Sequence, residues 1–295
     1  MRQAVFDLGT NTFNLIIAEI ENGKLKIIHS NKAAVLLGMG GINHGVIVED
    51  ALERAKNTLK LFKSQCDHYN VASINAIGTS ALRASSNSNH LVDYAKDTMN
   101  IDIHIIKGIQ EAEYIYRGVK WGYDFTEATI VMDIGGGSTE FIFADKIGIK
   151  ELTSLDIGVS RIFQTMNEPD EFTEESIKAI VQFLDAEKCD FFNKVNSEIL
   201  IGSSGSFETI YEMIYNRSFT ENKQALEISL EEVKLRLEWI IYSTLQERLD
   251  NDWIIQIRKR MLPIAAIKIL WVINYFNIKR IIISPFSLKE GALNN

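Results

Sequence analysis

The chain has 295 residues, of which 46% are hydrophobic, and it carries a formal net charge of -8 at pH 7. This composition excludes intrinsic disorder, and the acidic balance argues against nucleic acid as the main partner. No apolar stretch reaches the length of a membrane span, and the first residues do not form a signal peptide, so no membrane association is expected. Two widely separated cysteines indicate a reducing compartment, and we predict a cytoplasmic protein.

The sequence pattern of the first part of the chain predicts three successive strands, followed by helices and strands in alternation. The segment 49–69 reads as an amphipathic helix, with Leu52, Ala55, Leu59 and Phe62 on one face. The hydrophobic patterns and turn residues predict strands at 2–7, 13–20, 25–35, 73–78 and 103–106, and helices at 49–69, 87–99 and 110–122.

The same order of elements then restarts. Strands are predicted at 128–132, 140–144, 149–154, 198–201 and 279–284, and helices at 158–166, 173–192, 206–215, 230–246 and 258–276. A repeat of strand, turn, strand, strand and helix indicates two related α/β domains. We predict an N-terminal domain of residues 1–124 and a C-terminal domain of residues 125–284, with the tail, about 285–295, packing back on the first.

Each half of the chain contains one copy of a short pattern, at residues 4–15 and 130–141. An apolar strand ends in Asp-x-Gly, a turn of small and hydroxyl-bearing residues follows, and a second apolar strand begins. Such a turn presents backbone N–H groups and hydroxyls to an anion. The strand-end carboxylates of Asp7 and Asp133 are suited to hold a hydrated Mg²⁺ beside it. Two such hairpins facing each other predict a two-jawed phosphate clamp.

Six motifs in chain order, at residues 7–15, 78–83, 108–112, 133–140, 202–206 and 289–291, resemble those of one family. They are similar to the exopolyphosphatase/guanosine pentaphosphate phosphatase family of the actin and sugar-kinase superfamily, in its short two-domain form. The resemblance implies two duplicated actin-like (ribonuclease H-like) domains with a cleft between them. It further implies Mg²⁺-dependent hydrolysis of the terminal phosphoanhydride of inorganic polyphosphate, or of the 5′ γ-phosphate of guanosine pentaphosphate.

The phosphate-binding residues are expected in three loops that otherwise read as ordinary turns. Three consecutive glycines cost chain entropy unless the backbone must approach something closely. These loop residues are Gly9, Thr10, Asn11, Thr12, Gly135, Gly136, Gly137, Ser138, Thr139, Gly205 and Ser206. By the resemblance, Arg83 adds a bidentate fork for phosphate oxygens, whereas the residues alone are equally compatible with a surface salt bridge.

The resemblance also implies the catalytic group. It assigns to Glu111 the activation of the attacking water, although from the residues alone a Glu near a helix N-terminus is explained by the helix dipole. Asp133 and Glu140 join it as catalytic residues, and Asp7, Asp133 and Glu140 form the expected Mg²⁺ site. The local pattern fits Glu140 equally well as a solvated strand residue.

Two departures from the family pattern are visible. Gln110 stands where the family often has a second acid, and Leu36 stands where it often has an Arg before Leu-Gly. They keep open a catalytically weak sensor that binds polyphosphate or an alarmone. A guanosine pentaphosphate phosphohydrolase and a kinase of the same superfamily also stay open. The helix charges Arg258, Lys259, Arg260 and Lys268 fit either a polyanion channel or an ordinary surface. The resemblance leaves a homodimer open as well, because family members often pair.

Overall fold

The computed structural model describes residues 1–220 and 222–293. The first part contains strands and helices in the predicted order. The strands are β1 (Gln3–Leu8), β2 (Thr12–Glu21), β3 (Lys24–Ala34), β4 (Ser73–Gly78) and β5 (Ile103–Ile105). The helices are α1 (Glu49–His68), α2 (Ser80–Ala84), α3 (Asn89–Met99) and α4 (Gly108–Val119). In the described part of the chain, no helix is long and apolar enough to cross a membrane.

The second part repeats this order with additional helices. Its strands are β6 (Thr129–Ile134), β7 (Thr139–Asp145), β8 (Gly148–Leu155), β9 (Ile199–Ser203), β10 (Leu226–Ile228) and β11 (Arg280–Ile283). Its helices are α5 (Val159–Thr165), α6 (Glu174–Ala186), α7 (Asp190–Lys194), α8 (Gly205–Tyr215), α9 (Leu230–Tyr242), α10 (Leu245–Asp250), α11 (Leu262–Tyr275) and α12 (Leu288–Gly291).

The five strands of the first sheet have counterparts in the same order in the second, which adds the antiparallel edge strand β10, and this shared topology confirms the predicted fold class of two duplicated actin-like domains. The first sheet has the order β3-β2-β1-β4-β5, and the second β10-β11-β9-β6-β7-β8. In each, three antiparallel strands are followed by strands parallel to the first, β4 beside β1 and β9 beside β6. The two hairpins joining β1 to β2 and β6 to β7 therefore occupy equivalent places.

Two segments that were each predicted as one helix each form two separate helices in the structure. The helix predicted at 173–192 is α6 and α7, separated by the non-helical residues 187–189. Phe191 and Phe192 of the short helix α7 are both buried. The helix predicted at 230–246 is α9 and α10, because Thr244 and Glu247 form a capping box that starts a new helix.

Other differences involve short elements. The helix predicted at 258–276 begins only at Leu262, where Pro263 occupies its first turn and residues 256–258 form a 3-10 turn. Helix α2, strand β10 and helix α12 were not predicted, because three to five residues carry too little periodicity to be recognised.

The two sheets share a buried core. Val5 and Ile16 of the first sheet belong to the same apolar cluster as Val131 and Ile142 of the second, together with Ile115 of α4. Helix α12 packs against α4 and β1, with Gly291 so close to α4 that a Cβ atom would lie 1.8 Å from the Tyr114 carbonyl oxygen. Residues 294 and 295 of the expected tail lie outside the described residues. Because α4 packs on β7 and β8 as well, the boundary between the domains stays a prediction.

Candidate active site

A cleft of about 190 Å³ lies between the two hairpin turns. The turn of residues 9–12, with the strand ends around it, is called the first hairpin, and the turn of residues 135–138 the second hairpin. Eleven of the predicted site residues line this cleft: Asp7, Gly9, Thr10, Asn11, Thr12, Glu111, Asp133, Gly135, Gly136, Gly137 and Ser138. Gly205 and Ser206 of the third predicted loop line it too.

The first hairpin is fixed by main-chain hydrogen bonds. Gly9 N donates to the Thr12 carbonyl at 3.1 Å and closes the turn. The Asn11 carbonyl accepts from the backbone N–H groups of Val35 and Leu36 at 3.0 and 2.8 Å. Leu36 adopts a φ of 52°, which is uncommon for a residue of its size, and its side chain packs against the core of the second sheet. In place of the family's Arg, this chain therefore has an apolar contact between the two halves.

The second hairpin repeats the turn and adds a cation beneath it. Gly135 N donates to the Ser138 carbonyl at 3.0 Å, the equivalent of the Gly9–Thr12 bond. The fully buried Lys268 donates to Thr139 Oγ1 and to the Ile157 carbonyl. Burial lowers the pKa of Lys268 to about 7, although Glu140 and Asp133 oppose this shift.

The two hairpins touch each other. Ser160 Oγ of α5 donates to Asn11 Oδ1 at 2.7 Å. A Cβ atom on Gly136 would lie 2.8 Å from the Asn11 side chain, and one on Gly137 would lie 2.4 Å from Ser80 Oγ and 2.7 Å from Thr10 Oγ1. Gly136 and Gly137 are thus required because side chains of the first half of the chain fill the space where their own would stand.

Glu111 lies in the first turn of α4 and faces the cleft with only 7% of its surface exposed. Arg83 Nη1 donates to its Oε2 at 3.1 Å and to the Ile106 carbonyl at 2.9 Å. Burial, and next the Glu140 carboxylate, raise the pKa of Glu111 well above its ordinary value, against the opposing charge of Arg83. A carboxyl group whose pKa lies closer to neutrality is suited to general-base work.

The two strand-end aspartates are held differently. Asp7 Oδ2 accepts one side-chain hydrogen bond, from Asn14 at 2.8 Å. Asp133 Oδ2 accepts two, from the hydroxyls of Ser203 and Ser287. Burial raises the pKa of Asp7 to about 6, opposed by Asn14, and it raises the pKa of Asp133, opposed by both serines.

These aspartates fit a Mg²⁺ ion. Within residues 1–220 and 222–293, no three acidic, histidine or cysteine side chains come together as a complete metal site. Mg²⁺ does not need one, because it usually binds one or two carboxylates and keeps several waters. Asp7 and Asp133 both line the cleft, and the charge of Asp133 raises the cost of ionising Asp7, which a cation would relieve. Asp7 and Asp133 would hold the ion.

Three predicted site residues do not line the cleft. Glu140 is buried behind it and accepts from Ser154 Oγ at 2.7 Å, and burial raises its pKa. Thr139 is fully buried and bonded to Lys268. Arg83 engages Glu111 rather than the open cleft. The structure therefore places these three behind the residues that a ligand would touch, and their predicted roles as direct ligands stay predictions.

Several cleft residues were missed or undervalued by sequence reasoning. Of the four helix charges, Arg258 lines the cleft, whereas Lys268 is buried beneath the second hairpin. Lys259 bonds the Leu249 carbonyl, and Arg260 pairs with Asp170 at the surface. Lys32, Glu208, Ser287 and Lys289 also line the cleft. Lys289 belongs to a recognised motif, but nothing in the local pattern marks Lys32 or Glu208.

The third loop has a strained backbone. Ser204 adopts a φ of 82°, and its hydroxyl bonds the backbone of Ile134, so it ties this loop to the second hairpin. Gly205 lets the Arg258 guanidinium lie directly against the backbone, since a Cβ atom there would overlap it. Arg258 Nη1 donates to Thr209 Oγ1 at 2.8 Å.

Comparisons with known proteins find relatives that match nearly the whole chain. Residues 16–295 match the model of the Ppx/GppA phosphatase family. The chain is 26% identical over 297 residues to a guanosine-5'-triphosphate,3'-diphosphate pyrophosphatase of Photobacterium profundum, covering 98% of this chain and 58% of that protein. It is 28% identical to a putative exopolyphosphatase of Haemophilus influenzae, covering 98% of this chain and 90% of that protein.

A solved structure is also similar. The crystal structure of an exopolyphosphatase from Cytophaga hutchinsonii superposes with a TM-score of 0.95 at 35% identity, covering 99% of this chain and 96% of that one. The chain thus spans 58% of the pyrophosphatase from Photobacterium profundum but nearly all of this shorter relative.

Proposed function

The chain belongs to the Ppx/GppA phosphatase family, and we propose that it is a Mg²⁺-dependent exopolyphosphatase that releases the terminal phosphate of inorganic polyphosphate. One observation carries the proposal. Two hairpin turns rich in N–H and hydroxyl groups face one cleft, and the buried carboxyl of Glu111 borders the same space. A phosphoryl group held between the turns would have its charge met from two sides, with a base beside it.

The reaction follows from these positions. The terminal phosphoryl group binds between the first and second hairpins, and Glu111 takes a proton from a water molecule directed at phosphorus. The new P–O bond forms as the bond to the bridging oxygen breaks, which yields phosphate and a chain one unit shorter. Arg83 restrains the Glu111 carboxylate through its hydrogen bond, so the base is held before the substrate arrives.

The proposed cofactor is Mg²⁺, held by Asp7 and Asp133. When bound, Mg²⁺ neutralises phosphoryl oxygens and favours the charge that develops on them. Glu140 supports this end of the cleft from behind, through its hydrogen bond with Ser154.

The lining of the cleft favours polyphosphate over guanosine pentaphosphate. Among the described lining residues, Phe286 contributes the one aromatic ring, and it is 8% exposed and packed beside Gly122. A guanine base would find no open ring to stack on, whereas a phosphate chain meets Lys32, Arg258 and Lys289. The relatives bear both names, so guanosine pentaphosphate remains the second candidate substrate.

The test is phosphate release from long-chain polyphosphate and from guanosine pentaphosphate, side by side, with Mg²⁺ and with a chelator. An Asp133→Asn preparation, purified identically, measures any contaminating phosphatase. We expect faster Mg²⁺-dependent release from polyphosphate. Preference for guanosine pentaphosphate would replace the proposed substrate. Tight binding of both without turnover would overturn the enzyme assignment in favour of a sensor.

A further inference from the structure

One carboxylate lies among the cations that line the cleft. Glu208, in the first turn of α8, lines the cleft together with Lys32, Arg258 and Lys289. Lys32 Nζ is 3.8 Å from Glu208 Oε2, and the two side chains keep 43% and 28% of their surface exposed. Burial would raise the pKa of Glu208, but the charges of Lys32, Arg258 and Lys289 outweigh it, and its pKa lies below the ordinary value. Glu208 is therefore ionised at neutral pH.

Two of the three cations have a positioning contact besides Glu208, although the Glu208 charge also favours the charged forms of Arg258 and Lys289. Arg258 is anchored by Thr209 Oγ1 at 2.8 Å and by its contact with Gly205. Lys289 is 3.0 Å from Glu290 Oε1, whose side chain is 2% exposed. Only Lys32, on the exposed strand β3, pairs with Glu208 directly. Glu208 therefore balances the charge of these cations without being the contact that positions Arg258 or Lys289.

A fixed negative charge in this position opposes a polyanion. Each phosphate unit beyond those held by the hairpins must displace Glu208 from Lys32 and lie beside its charge. A short ligand held between the hairpins is repelled less strongly by the Glu208 charge, because none of its phosphates must lie beside that carboxylate. Affinity for the distal part of a chain is therefore lower than three cations alone would give.

We infer that Glu208 is a specificity-determining residue that holds down affinity for the chain phosphates beyond the terminal ones, acting as an internal counter-anion for Lys32, Arg258 and Lys289. This inference rests on the proposed function. If Glu208 acts in this way, a shortened polyphosphate chain leaves the cleft readily after each cleavage. Its distal phosphates must compete with the Glu208 carboxylate for the same cations.

The test is calorimetric binding of pyrophosphate and tripolyphosphate with Mg²⁺, in a Glu111→Gln background that prevents turnover. We expect Glu208→Gln to bind tripolyphosphate about fivefold more tightly and pyrophosphate with little change. Glu208→Asp, which keeps the charge, should behave like the parent. Glu231→Gln is the matched control, since it removes an exposed carboxylate of α9 that does not line the cleft.

The outcomes separate the two claims. Equal or weaker binding of tripolyphosphate by Glu208→Gln would overturn the inference and show that the carboxylate organises the cations. A parent protein that binds neither probe would contradict the proposed function and the inference with it. In the protein with Glu111 intact, Glu208→Gln should lower KM for long polyphosphate more than it changes kcat, and a change confined to kcat would also overturn the inference.

Discussion

The first and second hairpins occupy equivalent places in the two sheets but are built differently. The first has one glycine at the start of its turn and fills the cleft with the side chains of Thr10 and Asn11. The second has three consecutive glycines, and its backbone lies against those same side chains. The buried Lys268 lies beneath the second hairpin. Asp133, at the end of the strand that leads into this hairpin, accepts two hydroxyl hydrogen bonds, whereas Asp7 accepts one side-chain hydrogen bond.

The difference shows how the two hairpins of a duplicated motif can lie against each other. Two identical hairpins with side chains at both tips could not approach each other closely, so one hairpin supplies side chains and the other supplies backbone. The contact between Asn11 and Gly136, with the bond from Ser160 to Asn11, fixes their separation. That separation determines where a phosphoryl group can sit relative to Glu111.

The largest expected effect comes from adding a methyl group between the hairpins. Gly137→Ala places its Cβ 2.4 Å from Ser80 Oγ and 2.7 Å from Thr10 Oγ1, so the two hairpins must separate. A displacement of about 1 Å at a reacting centre costs on the order of a hundredfold in rate. We expect kcat/KM for polyphosphate to fall by about that factor, measured by phosphate release.

Gly135→Ala is the matched control for this change. Its Cβ would meet the Ser138 carbonyl oxygen of its own hairpin at 3.1 Å and no atom of the first sheet. The loss should be much smaller than for Gly137→Ala. Equal losses in both variants would mean that the turn itself, and not the contact between hairpins, sets the rate.

Asp7 and Asp133 accept different numbers of side-chain hydrogen bonds, so replacing each with Asn should change the free energy of unfolding by a different amount. Because the folded-state pKa of Asp7 is raised to about 6, the stability from its proton is present below about pH 4 and is lost as the pH rises through about 6. In metal-free protein at about pH 8, Asp7→Asn should raise the free energy of unfolding by about 1–2 kcal/mol. The gain should vanish near pH 4.

Denaturant unfolding of Asp7→Asn and Asp133→Asn at both pH values checks this. The gain for Asp133→Asn should be smaller, because the hydroxyls of Ser203 and Ser287 stabilise its carboxylate. A loss of stability in Asp7→Asn at high pH, or a larger gain in Asp133→Asn, would contradict the comparison.

The smallest effect is expected for the cation under the second hairpin. Lys268→Met removes the donor to Thr139 and to the Ile157 carbonyl, which loosens this hairpin, and kcat should fall about three- to tenfold. The free energy of unfolding should fall by about 1 kcal/mol, because the buried Ile157 carbonyl loses its donor while removal of the desolvated amine offsets part of that cost. Lys279→Met, at an exposed lysine bonded to Asn277, is the control. An unchanged kcat would show that the second hairpin does not depend on Lys268.

Much of the fold could be predicted from the sequence because both sheets repeat one strand pattern. The positions of β1, β6 and the two hairpins followed from apolar runs ending in Asp-x-Gly. The breaks at residues 187–189 and 243–244 did not, because apolar residues recur on both sides of each break and suggest one continuous helix, although Thr244 and Glu247 carry the spacing of a capping box.

The site was predictable where motif and backbone chemistry coincide, as in the glycines of the second hairpin. Lys32 and Glu208 were not recognised, since each lies on an element whose local pattern is ordinary and reaches the cleft only through packing of the two halves. Arg83 was recognised, but its partner Glu111 lies on another element, and only the folded chain brings them to 3.1 Å.

The central claim is that the hairpins hold the phosphate and Glu111 activates the water, and one pair of measurements tests both parts. For Glu111→Gln, tripolyphosphate affinity and the rate of phosphate release from polyphosphate are measured with Mg²⁺, beside Glu113→Gln as control. We expect affinity to stay within about threefold while kcat falls by at least about a hundredfold, because only the base is removed. Turnover that survives in Glu111→Gln at the level of Glu113→Gln would contradict this mechanism.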